Sequence, residues 1–311
     1  RLHTEDFTKE GSVSKLELNP VDEPSKLIAS SRSPRFSPDG KKLAFLATRD
    51  VVTHNTCSTL AIMDWEAKKT ATVVDVVEEP EANYTEDATT AFNGIYSGWL
   101  PKQCWSDDGK FILLETDLGS RQVWKNVDAT TGKIHHPQYV EGDKIATECV
   151  LDRMDNWFLV ATSSPTHPAS VYLVQVDYTT GKYCQTPICI ENQQGSSCHI
   201  GEWHVLSVPT SVSDIPASKK NIPETPEILK PHLLPLSSSS APFEATVWLP
   251  SSKKPDEGYP VIVDLHGGPH GNSPVTYRVM YEYMAALGYA IVNINYRGSV
   301  GYGIGPLESL V

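Results

Sequence analysis

Apolar and polar residues alternate in short segments through most of the first 220 residues. Asp-Gly and Thr-Gly-Lys turns separate these segments, a pattern typical of antiparallel hairpins. The pattern predicts strands at 42–47, 59–64, 71–77, 111–115, 122–128, 157–162 and 171–177, and a short strand at 16–18. From residue 243 the pattern changes. An alternating strand at 243–249 is followed by two continuous apolar runs, at 261–265 and 289–294.

The turns of the first region recur along the chain. Three turn aspartates, Asp39, Asp108 and Asp155, mark successive copies of the strand pattern. The interval between the last two is close to one four-stranded propeller blade. The first interval fits a blade with an acidic loop inserted at 78–90. Three blades cannot close a ring, so the repeat predicts part of a β-propeller; a small self-sufficient β-sandwich is the alternative.

The second region reads as strand, loop, helix and strand. The apolar, β-branched run 261–265 predicts a strand buried on both faces. Ser273 and Pro274 are typical of a helix start, and Gly288 is typical of a helix end. Between them, apolar residues recur at helical spacing: Val279, Met280, Tyr283, Met284 and Leu287. This order predicts a βαβ unit in a mostly parallel sheet.

A proline-rich stretch separates the two regions. Ten of the 23 prolines and the run 237–240 of four serines lie between Pro209 and Pro260. This composition is typical of exposed connections between domains. We therefore predict one domain at 1–220 and a second at 221–311.

Composition excludes several classes of function. The net charge of −12 and the pI of about 5.3 argue against a nucleic-acid partner, since Lys and Arg do not cluster. No apolar run is long enough to cross a membrane. The six cysteines form no C-x-x-C pair, which favours free thiols in a reducing compartment over a metal site at Cys198, His199 and His204. We predict no metal and no cofactor. The chain starts without Met or an apolar signal segment, which favours a piece of a longer protein.

Two motifs end the apolar runs of the second region. The run 261–265 ends at His266-Gly267-Gly268-Pro269-His270-Gly271, and the run 289–294 ends at Asn295-Tyr296-Arg297-Gly298-Ser299. Adjacent glycines permit a tight turn and let a ligand approach the backbone N–H groups. His-Gly-Gly after a strand resembles the oxyanion loop of α/β-hydrolases. Together, the two motifs resemble the prolyl-oligopeptidase clan of serine peptidases.

Within that clan the chain is most similar to the acylaminoacyl-peptidase (acylpeptide hydrolase) family. The similar stretches are HGGPH, SPRFSPDG at 33–40, MDW at 63–65, VVDVV at 73–77 and CWSDDG at 104–109. The resemblance implies a partial β-propeller, the last blades of seven, followed by the N-terminal part of an α/β-hydrolase domain. It also implies a cytoplasmic, homo-oligomeric serine exopeptidase that acts on N-acylated peptides without a cofactor.

The resemblance assigns the main site residue to a backbone group. In the family, the N–H of the second glycine of HGGP, here Gly268, binds the oxyanion of the tetrahedral intermediate; its alternative role is only to permit the turn. His266, Gly267 and Pro269 are predicted to shape this loop. Although Asp264 is two residues from His266, His266 is not predicted as a general base, because the catalytic His comes last in this fold. Asp264 is predicted to be a buried, hydrogen-bonded carboxylate.

Two further residues are candidates for the substrate edge. His270 borders the predicted loop, with plain solvent exposure as its alternative. Arg297 ends the second apolar strand, at the sheet edge where ligands bind in open α/β folds. Its alternative is to pair with a carboxylate and fix the loop.

No G-x-S-x-G nucleophile motif occurs in the 311 residues. Ser299 does not replace it, because Arg297, and not a glycine, stands two residues before it. In this fold the oxyanion loop follows the third strand and the nucleophile follows the fifth, which the chain does not reach. We therefore expect the catalytic Ser, Asp and His to be missing and this chain to be inactive alone. The alternatives are another peptidase of the clan, such as a dipeptidyl-peptidase or oligopeptidase, and a non-catalytic propeller scaffold.

Overall fold

The computed structural model describes residues 16–51, 55–80, 91–135, 137, 147–191, 199–208 and 243–308. Within these ranges the chain forms four β-sheets and three short helices. Most of the predicted acidic insertion and the centre of the proline-rich stretch lie outside them.

The first sheet contains four antiparallel strands in chain order, β1 (Ser30–Phe36), β2 (Lys42–Thr48), β3 (Thr59–Asp64) and β4 (Lys69–Val74). A short helix, α1 (Glu23–Lys26), precedes it and is capped by Asp22. The Asp-Gly turn joins β1 to β2. Asp39 accepts hydrogen bonds from the Ser37 hydroxyl and the Lys41 N–H, and Gly40 supplies the left-handed backbone at φ +72°.

The second and third sheets repeat this plan. The second contains β5 (Phe111–Leu118), β6 (Arg121–Asp128) and β7 (Ile134–His135). The third contains β8 (Thr147–Met154), β9 (Trp157–Ser164), β10 (His167–Gln175) and β11 (Ile188–Glu191). In each sheet the strands are antiparallel and follow chain order. Seven of the predicted strands are confirmed, and they correspond to β2–β6, β9 and β10. They were predicted at 42–47, 59–64, 71–77, 111–115, 122–128, 157–162 and 171–177.

One continuous apolar core joins these three sheets. It contains Leu46 and Leu60 of the first sheet, Leu114 of the second and Val160 of the third, all fully buried. Between the second and third sheets, Trp124 packs on Phe158 with ring centroids 4.8 Å apart. The sheets therefore stack face to face in chain order, as the repeat predicts. In the described part of the chain they do not close into a ring.

Some predictions for the first region were wrong. Residues 16–18 form no strand; the chain there makes only a single bridge, from Pro20 to Thr70. Strand β1 was not predicted, because its sequence SSRSPRF is polar and contains a proline. Its register shifts between Arg32 and Arg35, so pairing with β2, and not local pattern, holds it in place.

The fourth sheet is mixed. Its strands are β12 (Ile200–Val208), β13 (Phe243–Pro250), β14 (Val261–Leu265) and β15 (Ala290–Asn295), in the spatial order β12-β13-β15-β14. Strand β13 is antiparallel to β12 and β15, whereas β14 and β15 are parallel and joined through α2 (Val279–Ala286). The predicted βαβ unit is confirmed, but the predicted mostly parallel sheet is wrong for the described strands, since two of the three pairs are antiparallel. A third helix, α3 (Ile304–Glu308), follows β15. The predicted division at residue 220 lies outside the described residues and stays a prediction, but this sheet takes its first strand from before it.

Strand β14 is not buried on both faces, contrary to the prediction. Val261, Val263 and Leu265 are each more than half exposed. The reason is position in the sheet: among the described strands, β14 pairs only with β15 and forms the edge. An apolar β-branched run therefore does not by itself decide which faces of a strand are covered.

The prediction for helix α2 was wrong at its start. The helix begins at Val279, not after Ser273, which is buried and donates its N–H to Asn295 Oδ1 at 2.9 Å. Tyr281 and Ala285 face the sheet and pack with Trp248 and Ile291. Four of the five apolar residues at helical spacing are exposed: Val279, Met280, Tyr283 and Leu287. The predicted end at Gly288, with φ +89°, is confirmed.

The turn between β5 and β6 docks the second sheet against the fourth. Ser120 N–H donates to Glu244 Oε2 at 2.6 Å, and its carbonyl accepts from Val275 N at 2.7 Å. Gly119 N–H donates to the Gly301 carbonyl at 2.8 Å. At Gly301, with φ +98°, a Cβ would lie 2.8 Å from Gly119 O. The two backbones are therefore in direct contact, and only glycine fits at position 301.

The exposed edge strand generates a first prediction. Because β14 presents unpaired backbone groups and apolar side chains, we expect the 311-residue chain to self-associate through this edge. Val263→Lys should shift the chain towards monomer in sedimentation velocity. The matched control is Val51→Lys, a valine that is also more than half exposed but lies outside the fourth sheet. Equal association of both variants and the parent chain would contradict this account.

The docking turn generates a second prediction. Glu244→Ala leaves the buried Ser120 N–H without an acceptor, so it should lower the free energy of unfolding by about 2–3 kcal/mol. Urea unfolding in the monomeric Val263→Lys background measures this loss. Glu202→Ala on the exposed side of the same sheet is the control and should change stability by less than about 0.5 kcal/mol. Equal effects of the two alanine substitutions would show that the Glu244 contact is not stabilising.

Candidate active site

Two loops meet at the carboxyl edge of the parallel pair. The loop 266–271 follows β14, and the segment 296–301 follows β15. Parallel strands bring these ends to the same edge of a sheet, where ligands bind in open α/β folds. Val300 N–H donates to the Gly271 carbonyl at 2.9 Å and joins the two directly. We call 266–271 the HGGP loop.

His266 is held at both ring nitrogens. Nδ1 lies 3.0 Å from the Gly267 carbonyl, and Nε2 lies 2.8 Å from Ser299 Oγ. Since a carbonyl only accepts, Nδ1 carries the proton in the neutral ring and Nε2 accepts from the Ser299 hydroxyl. The ring also stacks on Tyr296 at 4.5 Å, and the Tyr296 hydroxyl donates to the His266 carbonyl at 2.7 Å. This geometry supports a loop-shaping role for His266.

Gly267 and Gly268 present their backbone to solvent. Both are exposed, and within the described part of the chain neither N–H donates a hydrogen bond. Gly268 has φ +144°, and a Cβ there would lie 2.9 Å from His270 N. The Gly268–Pro269 peptide is cis. The loop therefore combines open N–H donors with a backbone that excludes a side chain at position 268.

His270 and Arg297 lie at the same edge. His270 is half-buried, with Nδ1 2.9 Å from the Gly298 carbonyl, so its ring is part of the contact between the two loops. This contact differs from the alternative of plain solvent exposure. Arg297 is half-buried at the end of β15. Its assignment to substrate contact or carboxylate pairing stays open.

Two residues that support this site, Asn295 and Ser299, were not predicted from the sequence. Asn295 accepts from the Ser273 N–H through Oδ1, and its Nδ2 donates to the Ser273 carbonyl at 3.4 Å. Ser299, fully buried, lies beneath His266. A polar residue at the end of an apolar strand was the available signal for Asn295, but its partner lies 22 positions away. Pairing at that separation cannot be read from local pattern.

Asp264 is half-buried and hydrogen-bonded, close to the prediction. It accepts from the Tyr281 hydroxyl, which in turn accepts from Asn293 Nδ2 at 2.7 Å. Burial, together with the hydrogen bond to Asp264, raises the pKa of Tyr281 to about 12. Tyr281 therefore stays a neutral donor at physiological pH, and this group links α2 to the sheet without contacting the HGGP loop.

The described residues contain no cluster of three or more His, Cys, Asp or Glu side chains that could hold a metal ion. Of the alternative metal ligands, Cys198 lies outside these residues, and His204 contacts Glu202 at 2.9 Å. The five cysteines that the structure describes are free. No helix in the described ranges is both long and apolar enough to span a bilayer.

Solved structures share this fold at low sequence identity. A puromycin-hydrolyzing peptidase from Mycobacterium tuberculosis is similar to 91% of this chain with a TM-score of 0.52 and 16% identity, over 45% of its own length. A puromycin hydrolase is similar to 91% of the chain with a TM-score of 0.51 and 15% identity, over 44% of its own length. At such identity the likeness shows the arrangement of the chain and not its substrate.

Curated proteins that are similar to this chain share one name. Acylamino-acid-releasing enzyme 1 of Oryza sativa subsp. japonica is 30% identical over 96% of this chain and 37% of the relative. The acylamino-acid-releasing enzyme of Homo sapiens is 26% identical over 89% of this chain and 34% of the relative. The chain thus spans about a third of the length of these relatives.

A family model supplies the assignment. The model for the N-terminal domain of the acylamino-acid-releasing enzyme matches residues 3–186, more than half of the chain. This match covers the first two stacked sheets and strands β8–β10 of the third. The resemblance drawn from the sequence motifs is confirmed. The chain belongs to the acylamino-acid-releasing enzyme family.

Proposed function

We propose that the chain is part of a serine exopeptidase that releases an N-acylated amino acid from the N-terminus of peptides. One observation carries the proposal: a member of this family presents an HGGP loop with open backbone N–H groups at the carboxyl edge of a sheet. Such donors, fixed before reaction, stabilise the negative charge that develops on a carbonyl oxygen during acyl transfer.

The proposal assigns the sheets to two domains. The three stacked antiparallel sheets are the last blades of a β-propeller, and the fourth sheet is the N-terminal part of an α/β-hydrolase domain. The antiparallel entry through β12 and β13, followed by the parallel pair β14 and β15, supports this assignment. Counted from β12, β14 is the third strand of the hydrolase sheet. The oxyanion loop follows the third strand in this fold.

The chemistry divides between this chain and the rest of the enzyme. A nucleophilic Ser attacks the amide carbonyl and forms an acyl-enzyme, assisted by a His and an acid. We place these three groups outside the 311 residues, because no G-x-S-x-G occurs within them. Gly268 donates its N–H to the oxyanion. His266, Gly267 and Pro269 shape the loop, His270 and Arg297 border the substrate, and the propeller screens substrates by size.

The proposed location, oligomeric state and partner rest on the family resemblance alone. We propose a cytoplasmic homo-oligomer whose partner is the N-acylated peptide, without nucleic acid, membrane or cofactor. Sequencing of the transcript around this segment tests the enzyme against a non-catalytic scaffold. A downstream G-x-S-x-G in frame supports the enzyme.

The division of chemistry generates a third prediction. The 311-residue chain should not react with a fluorophosphonate probe, because it lacks an activated Ser. The full-length enzyme should be labelled once, at a Ser outside this segment. Mass spectrometry after labelling locates the adduct. A stoichiometric adduct on any Ser of the 311 residues would refute the proposed division.

The oxyanion role generates a fourth prediction. In the full-length enzyme, Gly268→Val should displace the loop and remove one oxyanion donor, since a Cβ has no room there. Turnover of an acetyl-amino-acid anilide should fall roughly 100- to 1,000-fold. The KM should change little, because the donor acts on the transition state.

Gly288→Val is the matched control for this substitution. It places the same side chain at a left-handed position, φ +89°, in open space at the far end of α2. Its turnover should stay within about threefold of the parent. If Gly268→Val folds, as judged by a thermal melt, and also stays within about threefold, Gly268 is a turn residue only.

A further inference from the structure

Ser299 is fully buried, and its hydroxyl contacts one side chain. Its Oγ lies 2.8 Å from His266 Nε2, and within the described part of the chain neither atom has another hydrogen-bond partner. The backbone of Ser299 is held in turn, since its N–H donates to the Tyr296 carbonyl at 2.9 Å. A hydroxyl can donate or accept, but the ring nitrogen is the one acceptor within reach of this hydroxyl. The geometry therefore favours donation from Ser299 to Nε2.

The other ring nitrogen of His266 contacts the backbone of the HGGP loop. Nδ1 lies 3.0 Å from the Gly267 carbonyl oxygen, which only accepts. In a neutral imidazole, the hydrogen bond made by one nitrogen decides which nitrogen carries the proton. Donation from Ser299 to Nε2 thus places the proton on Nδ1, where it binds the Gly267 carbonyl. Gly271 leaves room for this bond, because a Cβ there would lie 3.0 Å from the Gly267 oxygen and 3.2 Å from Nδ1.

The carbonyl of Gly267 and the N–H of Gly268 belong to one peptide unit. This peptide is trans. In a planar trans peptide the C=O and the N–H point in opposite directions, so a hydrogen bond that fixes the carbonyl also fixes the N–H. Rotation of a peptide between two glycines meets little steric resistance, because glycine accepts backbone conformations that other residues avoid. The direction of the Gly268 N–H therefore depends on the hydrogen bond from the His266 ring.

We propose that Ser299 is a positioning residue: its hydroxyl fixes the tautomer of His266, and the Nδ1–H of His266 then fixes the direction of the Gly268 N–H. The effect on catalysis rests on the proposed function of this N–H as an oxyanion donor. The hold on the peptide does not. Ser299 forms no covalent bond with substrate in this role, which agrees with the absence of a nucleophile motif around it.

Two substitutions in the full-length enzyme separate the two nitrogens of His266. The amide nitrogen of Asn, like Nδ1, is bonded to Cγ, so His266→Asn keeps a donor for the Gly267 carbonyl. The amide nitrogen of Gln, like Nε2, lies one bond further out, so His266→Gln reaches Ser299 and leaves that carbonyl without a donor. Crystal structures should show the Gly267–Gly268 peptide in the parent orientation in His266→Asn and rotated in His266→Gln. The parent orientation in both variants would overturn the proposal.

Ser299→Ala tests the tautomer directly. Without the hydroxyl, the proton is expected on Nε2, where it can bind water, and Nδ1 loses its donor role. In enzyme labelled with ¹⁵N in its histidine rings, NMR at a pH where the ring is neutral distinguishes the two tautomers. The signals of His266 are those absent from the His266→Asn spectrum. The parent should carry the proton on Nδ1 and Ser299→Ala on Nε2, and the same tautomer in both would refute the role of Ser299.

Kinetics test the consequence for the reaction. Ser299→Ala and His266→Gln should each lower kcat at least about tenfold, towards the roughly 100-fold loss expected when an oxyanion donor is removed. The KM should change little, because the donor acts on the transition state. His266→Asn should keep a kcat at least about tenfold above that of His266→Gln, since it retains the donor to the Gly267 carbonyl.

Ser106→Ala is the matched control for Ser299→Ala. It deletes another buried hydroxyl, 4% exposed, which donates to Asp108 Oδ1 at 2.7 Å in the turn before β5. It should lower the melting temperature, as Ser299→Ala does, but leave kcat within about threefold of the parent. Equal losses of kcat in the two variants would show that Ser299 only stabilises the fold and would overturn its positioning role.

The structural and kinetic readouts separate this proposal from the proposed function. An enzyme without peptidase activity that shows the expected tautomers and peptide orientations would refute the proposed function and support the hold on the peptide. An active enzyme in which the peptide rotates in His266→Gln, while kcat stays within about threefold of the parent, would refute Ser299 as a positioning residue for the reaction.

Discussion

The arrangement of the molecule depends on the buried carboxylate of Glu244. Its Oε2 accepts from the Ser120 N–H of the second sheet and from the Tyr302 hydroxyl beyond β15. A carboxylate in the interior is tolerated only where donors replace its water, so the three segments must come together for any one of them to be satisfied. Around this point the backbones of Gly119 and Gly301 are in contact. A side chain at Gly301 would force them apart.

This docking point also determines how the HGGP loop is held. The loop starts at the end of β14 and is followed directly by Asn272, whose side chain reaches the Gly119 carbonyl. Between these ends, His266 and His270 contact Ser299 and the Gly298 carbonyl. A short loop anchored at both ends and along its length keeps its backbone donors in one orientation without the help of a ligand, which is what stabilisation of a transition-state charge requires. The stacked sheets thus contribute to the geometry of the candidate site and not only to its surroundings.

Local sequence predicted those elements whose signals are local. Strands β2, β5 and β6 contain short apolar runs and are flanked by Asp-Gly or Thr-Gly turns, so their composition and their turn chemistry agree. The polar β1 escaped prediction because it exists only through its partner. In the same way, the HGGP motif indicated where the loop lies, but Ser299 and Asn295, which hold it, act on residues more than 20 positions away.

The sequence by itself determined the order of the elements, the repeated turns, the family and the position of the loop, because each depends on neighbouring residues in the chain. Only the tertiary structure decided which faces are buried. The face of α2 with Tyr281 and Ala285 packs on Trp248, although the opposite face is also apolar. It also decided that the Asn272 side chain meets the Gly119 carbonyl, 153 positions earlier in the chain. Periodicity states which residues share a face, whereas burial and pKa depend on what packs against that face, and this is settled only when distant segments come together.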